Sequence, residues 1–276
     1  MFAIIDAKPE HIADWAEWYV AHSQDTLSKT ALSSQLALTL SLDDDGADVL
    51  VESVWLELRY RERLYGPNAP IKVAGRVLKS RFSWTDKPHY LACLIFSLTG
   101  NGTQTTVAGQ LFEEVSAIAV KHYIGGDCVI CGFPTPVKVA DLATKTGERF
   151  IREFPSHRKD RNLDLMAWRP FGDARPGQLI VLVQCAAGRN WKYKTKELAV
   201  EAWKKLIQFH VDPVRGFTMP YIISDSSEFE EYSTDAGLIL DRVRIYRFTN
   251  GVVLDTDLKK RLTSWCKGRI TAMNKN

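Results

Sequence analysis

Two segments near the middle of the chain carry the hydrophobic patterns of β-strands. Apolar and polar side chains alternate over residues 163–168, and residues 179–183 form a continuous apolar run after a loop rich in proline and glycine. Alternation is typical of a strand with one buried face, and a short continuous run is typical of a strand covered on both faces. The pattern therefore predicts two adjacent strands, 163–168 and 178–185.

The flanking segments alternate between helical and strand patterns. Residues 90–98 are apolar on almost every side, which indicates a buried helix. Helices are predicted at 31–42, 47–65, 90–98, 111–118, 196–210, 226–236 and 255–273, and strands at 71–82 (one strand or a pair), 216–223 and 238–248. This order predicts an α/β core with a mixed central sheet flanked by helices at 108–276. Residues 1–107 are then a mainly helical N-terminal extension packed on the core.

Composition narrows the class of protein without identifying it. The chain has 276 residues, of which 45% are hydrophobic and 25% charged, as in an ordinary globular protein. No apolar run is long enough to cross a bilayer and no secretory signal is present, while five cysteines, an odd number, favour the reducing cytoplasm. The net charge of +3 is too small to indicate nucleic-acid binding unless basic residues cluster. We therefore expect a cytoplasmic protein with no membrane partner.

Several familiar motifs are absent from the sequence or incomplete in it. It contains neither a G-x-x-x-x-G-K-[ST] loop nor a G-x-G-x-x-G motif, which argues against ATP hydrolysis and dinucleotide binding. Cys128 and Cys131 supply half of a zinc site, but no second C-x-x-C exists and the apolar residues between them favour a buried strand. Cys185 has no histidine and acid in a recognisable nucleophile arrangement.

Each of the two central strands carries one polar residue among apolar ones. Asp164 stands near the start of the first strand, and Gln184 stands at the end of the second. Paired strands can make these residues neighbours, and a carboxylate beside an amide oxygen offers two hard ligands to a magnesium-type ion. The alternatives are an aspartate at a strand edge and a buried amide satisfied by backbone hydrogen bonds.

Three motifs follow one another in the second half of the chain. F-E at 112–113 lies in a helical segment, D-R-N-L-D at 160–164 leads into the first strand, and Q-C-A at 184–186 ends the second. The arrangement resembles the PD-(D/E)XK, restriction endonuclease-like nuclease superfamily, and within it the Mrr-type branch. That branch has an acidic residue on an early helix, then D-x-x-x-(I/L)-D, then Q-x-K. The resemblance covers about residues 108–250 and fails at Ala186, where the family has lysine.

The resemblance implies a restriction endonuclease-like core and a metal-dependent endonuclease that cuts double-stranded DNA with Mg²⁺ or Mn²⁺. Asp164 and Gln184 are then metal ligands, together with a glutamate of the early helix. The family pattern favours Glu113 for this role. Helical periodicity instead puts Glu114 nearer the apolar face, so both glutamates are candidates.

The family lysine orients or helps to deprotonate the attacking water, and Ala186 can do neither. Lys194 is the preferred substitute and Lys192 the second choice, because a four-carbon stem can reach back to the strand end. Alternatively, these lysines only contact DNA or face solvent. The candidates for DNA binding are Arg189, Asn190, Lys192 and Lys196.

The resemblance also implies a biological setting. Such nucleases often serve in bacterial anti-phage defence or restriction under the control of a separate sensor or ATPase protein, and cutting both strands together favours a homo-oligomer. The alternative is a catalytically degenerate nuclease-fold protein that binds DNA or a partner without cleavage, which Gln184 and Ala186 favour. A third class, a protein-interaction scaffold, is suggested by the eight tryptophans.

Overall fold

The structure, a computed structural model, describes residues 7–100, 106–131, 137–154 and 162–274. The chain divides into two compact units: Met1–Gly102 together with Val253–Asn276, and Thr103–Val252. The C-terminal residues thus group with the N-terminal ones, whereas the sequence-based division kept 108–276 together. Positions 160 and 161 of the D-R-N-L-D motif lie outside the described residues. Over the described ranges, no helix has the length and apolarity needed to cross a membrane.

Helices and short strands alternate through the described ranges. In chain order they are α1 (Pro9–Ser23), β1 (Leu27–Ser28), α2 (Lys29–Leu40), α3 (Asp44–Tyr65), β2 (Ile71–Ala74), β3 (Val77–Ser80), α4 (Pro88–Thr99), α5 (Thr106–Ile124), β4 (Asp127–Ile130), α6 (Val139–Thr146), β5 (Arg149–Phe150), β6 (Leu165–Arg169), β7 (Leu179–Cys185), α7 (Trp191–Lys194), α8 (Val200–Trp203), β8 (Ile207–Gln208), β9 (Val214–Thr218), α9 (Ser226–Ala236), β10 (Leu238–Leu240), α10 (Arg242–Thr249) and α11 (Thr256–Met273).

The first unit is mainly helical. α1 packs against α3 and α4, and α11 packs against α4. β1, β3 and β2 form a small antiparallel sheet in that order. The Asp43 carboxylate accepts the N–H of Gly46 at 2.8 Å and so starts α3, whose buried face includes Val54 and Leu58. The predicted amphipathic helix at 47–65 and a strand pair within 71–82 are confirmed.

A buried ion cluster links α1 to α3. Arg61 Nη1 lies 2.6 Å from Asp14 Oδ1 and 3.0 Å from Glu17 Oε1. The hydroxyls of Tyr65 and Tyr90 donate to the other oxygen of Glu17. A buried guanidinium requires such partners, because an unpaired charge in the interior is strongly destabilising. The cluster therefore fixes how α1 sits on α3.

His89, the second residue of α4, is also buried in the first unit. Neither of its ring nitrogens has a hydrogen-bond partner among the described residues. Burial lowers the pKa of His89 to about 3, and the nearby charge of Lys87 acts in the same direction. The imidazole is therefore neutral at neutral pH.

The second unit is built on a five-stranded mixed sheet in the order β10-β9-β7-β6-β4. β4, β6 and β7 are antiparallel neighbours, whereas β7, β9 and β10 run parallel. The two strands predicted at the centre of the chain are the antiparallel pair β6 and β7, with Leu165 opposite Val183. The chain from 186 to 213 is the crossover that parallel strands require. The expected α/β unit with a mixed central sheet flanked by helices is confirmed.

One face of this sheet is covered by α5. The hydroxyl of Thr218, at the end of β9, donates to the hydroxyl of Ser116 on α5 at 2.9 Å. Cys185 lies beside Thr218 in the parallel register, so its thiol is on the same face. α10 packs against α5 in a second layer on this side.

The opposite face is covered by the crossover. Leu182 of β7 and Met166 of β6 lie in one buried cluster with Trp203 of α8. Successive side chains of a strand point to opposite faces, so Gln184 lies on the same face as Leu182 and not with the thiol of Cys185. This division between the faces decides how the candidate site is built.

The predicted helix at 196–210 is wrong over most of its length. The structure has only the single turn α8 there, followed by the two-residue strand β8, which pairs with β5 so that Arg149 lies opposite Gln208. Leu198, Leu206 and Ile207 enter the buried cluster together. Tertiary packing of these apolar residues thus outweighs helical propensity in this segment.

The predicted strand at 238–248 is correct only at its start. β10 ends at Leu240, and the carboxylate of Asp241 accepts the N–H of Arg244 at 3.0 Å, which begins α10. The β-branched and aromatic residues that follow, such as Val243 and Tyr246, suit a strand equally well in sequence. The N-cap aspartate decides the conformation. The preceding strand, predicted at 216–223, is observed at Val214–Thr218.

Candidate active site

Asp164 stands at the end of the two central strands. Its N–H donates to the carbonyl of Val183 at 3.0 Å, and its carbonyl accepts the N–H of Cys131 at 2.7 Å. Its carboxylate oxygen Oδ2 accepts the N–H of Cys185 at 2.6 Å. These bonds tie Asp164 to β7 through backbone and side chain. The carboxylate is therefore held where the β6–β7 ladder ends.

Glu113 of α5 acts on the same place from the helix layer. Burial raises the pKa of the Cys185 thiol well above its ordinary value, and the negative charges of Asp164 and Glu113 raise it further. Hydrogen bonds of the thiol with Thr218 and Ser116 act in the opposite direction. Both carboxylates therefore lie within electrostatic reach of one thiol. Glu113 is the member of the glutamate pair whose charge acts there.

Gln184 is turned away from this group. Its Nε2 donates to Glu197 Oε2 at 3.2 Å on the crossover side of the sheet. Its Oε1 is buried and has no hydrogen-bond partner among the described residues. The structure thus brings Asp164 and Glu113 together around Cys185 and puts the Gln184 amide on the opposite face. The expectation that Gln184 and Asp164 share one ion with the helix glutamate does not fit this arrangement, and the reason is the alternation of side chains along β7.

The lysines of the crossover differ in their surroundings. Lys192 Nζ donates to Glu228 of α9, and this bond raises the pKa of the lysine. The same ammonium lies 5.5 Å from the centre of the Tyr232 ring. Lys196 Nζ lies 3.1 Å from Asp235 Oδ2. Lys194 is half-buried at the end of α7. Two of the three lysines are therefore engaged by carboxylates of α9.

The residues that directly follow β7 include both buried and exposed positions. Ala186, where the resembled family has its lysine, is buried against Trp191 and Phe217. Arg189 and Asn190 are exposed in the turn before α7. The turn therefore presents one cationic and one amide side chain to solvent at the same end of the sheet as Asp164.

A divalent ion would find a limited set of donors here. Among the described residues, no three His, Cys, Asp or Glu side chains converge as a metal group. Mg²⁺ needs few protein ligands because it keeps several waters, so two carboxylates fit it. The thiol of Cys185 does not suit a soft metal, since its raised pKa keeps it protonated. Asp164 and Glu113 are the residues that could hold a hard cation.

Sequence reasoning missed three polar residues near these carboxylates. Ser116 and Thr218 hydrogen-bond each other across the α5–sheet interface, and Cys185 is hydrogen-bonded there too. The spacing offered one signal: Ser116 follows Glu113 by three residues, so both lie on one helical face. Thr218 comes from β9, and no local pattern could connect it to the other two.

Comparisons with models of known protein families, with curated proteins and with solved structures find no match to this chain. Fold and geometry therefore carry the functional argument. They define an α/β protein whose mixed sheet has an aspartate at the end of its central strand pair. A helix-borne glutamate lies near that aspartate.

Proposed function

We propose that the chain is a metal-dependent endonuclease that hydrolyses phosphodiester bonds of double-stranded DNA. The observation that carries the proposal is the position of Asp164, whose carboxylate is held at the end of β6 and β7 by the N–H of Cys185, with Glu113 near the same thiol. Two carboxylates at the end of a sheet are a suitable set for a hard divalent cation, and Mg²⁺ or Mn²⁺ is the proposed cofactor.

The proposed chemistry divides into roles for named residues. A divalent ion held by Asp164 and Glu113 would supply positive charge to offset the charge that develops on the phosphoryl oxygens. Lys194 is the proposed group that steadies the attacking water, because it is half-buried near the strand end and lacks the α9 carboxylate that engages Lys192. Arg189 and Asn190 are the proposed contacts to flanking phosphates.

We further propose that this activity serves a bacterial anti-phage defence or restriction system in the cytoplasm. A sensor or ATPase protein would then control it, and a homo-oligomer would allow both strands to be cut together. This part of the proposal derives from the resemblance of the three sequence motifs to the Mrr-type nucleases.

The test is cleavage of supercoiled plasmid in Mg²⁺ or Mn²⁺, compared with EDTA. Asp164→Asn is the informative variant, because an amide oxygen can still accept the N–H of Cys185 while the charge is removed. Asp173→Asn is the matched control, since Asp173 lies in the loop between β6 and β7 and binds only Arg175 in the described contacts. We expect cleavage by wild type and by Asp173→Asn, and a loss of at least 100-fold in Asp164→Asn. Equal cleavage by all three would rule out this site.

A second candidate is a nuclease-fold protein that binds DNA or a partner without cleavage. The specific observation in its favour is Gln184, whose amide lies on the face opposite Cys185 and bonds Glu197. The burial of Ala186 adds to it. DNA binding in EDTA without cleavage in any divalent metal would select this candidate over the nuclease.

A further inference from the structure

α11 presents a cationic face that the proposed active site does not use. A shallow groove runs along this helix, and no carboxylate is among the described residues that line it. The lining residues are Thr256, Lys259, Lys260, Thr263, Ser264 and Lys267. The three lysines are exposed. The groove therefore offers three ammonium groups and three hydroxyls on one side of one helix.

The rest of α11 is committed to the fold of the first unit. Leu258, Leu262 and Cys266 are buried, and Cys266 Sγ lies 3.6 Å from the carbonyl of Pro88 at the start of α4. Trp265 stacks on Phe96 with ring centres 4.8 Å apart. Packing on α4 thus fixes the rotation of the helix, and the lysine face is the one left to solvent.

We infer that this groove binds the sugar-phosphate backbone of duplex DNA. Lys259 and Lys267 are eight residues apart, which corresponds to about 12 Å along a helix. A DNA strand advances about 3.4 Å per phosphate, so the lysines match about three to four successive phosphates. Hydroxyl groups between lysines donate to phosphate oxygens in the same way. The inference rests on the proposed function in one respect, namely that the bound duplex is the substrate.

The other polyanionic surface with this charge is an anionic lipid bilayer. Helices that bind in the plane of a bilayer insert an apolar face between the lipids while basic residues contact the headgroups. α11 has no apolar face to insert, because Leu258, Leu262 and Met273 are buried within the protein. A row of ammonium and hydroxyl groups without an apolar partner surface favours the nucleic acid.

The experiment measures binding of the full-length protein to a fluorescent DNA duplex in EDTA, over a series of salt concentrations. The test variant is Lys260→Glu/Lys267→Glu. The matched control is Arg76→Glu/Lys79→Glu, which changes the charge by the same amount at exposed positions of the β2–β3 hairpin in the same unit. Thermal unfolding of both variants checks that the fold is retained.

We expect the test variant to raise the Kd at least 10-fold at 0.1 M salt and the control to change it less than 3-fold. The slope of log K against log salt should fall by about two in the test variant, since each lost phosphate contact contributes about 0.9. Equal effects of the two variants, or wild-type protein that binds no duplex, would overturn the inference. Binding of wild type to phosphatidylserine vesicles but not to duplex would also overturn it.

Cleavage assays on the same variants separate this inference from the proposed function. If wild type cuts plasmid and the groove variant binds and cuts equally well, the groove inference fails and the nuclease proposal stands. If wild type binds duplex through the groove and cuts in no metal, the nuclease proposal fails and the groove inference stands.

Discussion

The carboxylate of Asp164 accepts the backbone N–H of Cys185 at 2.6 Å. This bond supplies an acceptor to the last residue of β7 at the point where the β6–β7 ladder ends. Asp164 therefore has a structural task in addition to the metal-binding task proposed for it. Substitutions at this position must separate the two, and the choice of replacement does so.

Asp164→Ala should destabilise the second unit, whereas Asp164→Asn should not. Alanine leaves the N–H of Cys185 without its acceptor, and a buried unsatisfied donor costs about 1–3 kcal/mol. Asparagine retains an oxygen in the same position. Urea unfolding of the three proteins measures the difference. Equal stability of the alanine and asparagine variants would show that the bond contributes little.

Glu113→Gln should reduce cleavage much more than Glu114→Gln. Only the charge of Glu113 is found to act on Cys185 in the described part of the chain, so its loss removes negative charge beside the proposed cation. We expect a loss of about 10²-fold or more for Glu113→Gln and less than about 3-fold for Glu114→Gln, measured as initial rates of plasmid nicking. The reverse order would assign the metal-binding role to Glu114.

Cys185 should resist alkylation in the folded protein. Its pKa is raised well above the ordinary value by burial and by two nearby carboxylates, and a thiol reacts only as the thiolate. At pH 8, iodoacetamide should leave Cys185 unmodified in buffer and modify it in urea, as read by mass spectrometry of the peptide. Rapid modification in buffer would mean that the thiol is exposed or that the carboxylates lie elsewhere.

Stability should fall between pH 7 and pH 5 because of His89. The pKa of His89 is about 3 in the folded protein and near 6.5 when unfolded, so the unfolded chain binds more protons in this range. Lowering the pH through 6.5 towards 3 therefore favours unfolding, by about 2 kcal/mol between pH 7 and pH 5. His89→Phe should reduce this pH dependence, as measured by urea unfolding at both pH values.

His210→Phe is the control for this effect. The His210 imidazole is half-exposed and hydrogen-bonds Glu148. If the two histidine variants reduce the pH dependence equally, or if neither does, His89 is not its source.

The sequence predicts elements well wherever one local pattern dominates. The alternation at 163–168 and the apolar run at 179–183 correspond to the central strand pair, and the predicted helix at 226–236 has the observed bounds of α9. It predicts poorly where long-range packing decides. Ile207 is a strand residue because β5 lies beside it, and no residue near Ile207 in sequence carries that information.

The candidate site shows the same division between local and non-local information. Asp164 and Gln184 stand out in sequence as polar residues in apolar strands, and the bond from Asp164 to β7 follows from strand pairing. The direction of Gln184 depends on which residues of β7 face α5. That parity is fixed by Thr218 and Ser116, which come from two other elements. Sequence motifs alone could not supply it.

The association of α11 with the N-terminal helices has a consequence for biosynthesis. The ribosome makes residues 103–252 after α4 and before α11, although α11 packs on α4 and buries Leu262 in the first unit. Domains tend to fold as units when their residues have been made. The second unit is therefore complete while the first still waits for its last helix, and the apolar surface of α4 that receives α11 stays uncovered on the nascent chain until translation has nearly ended.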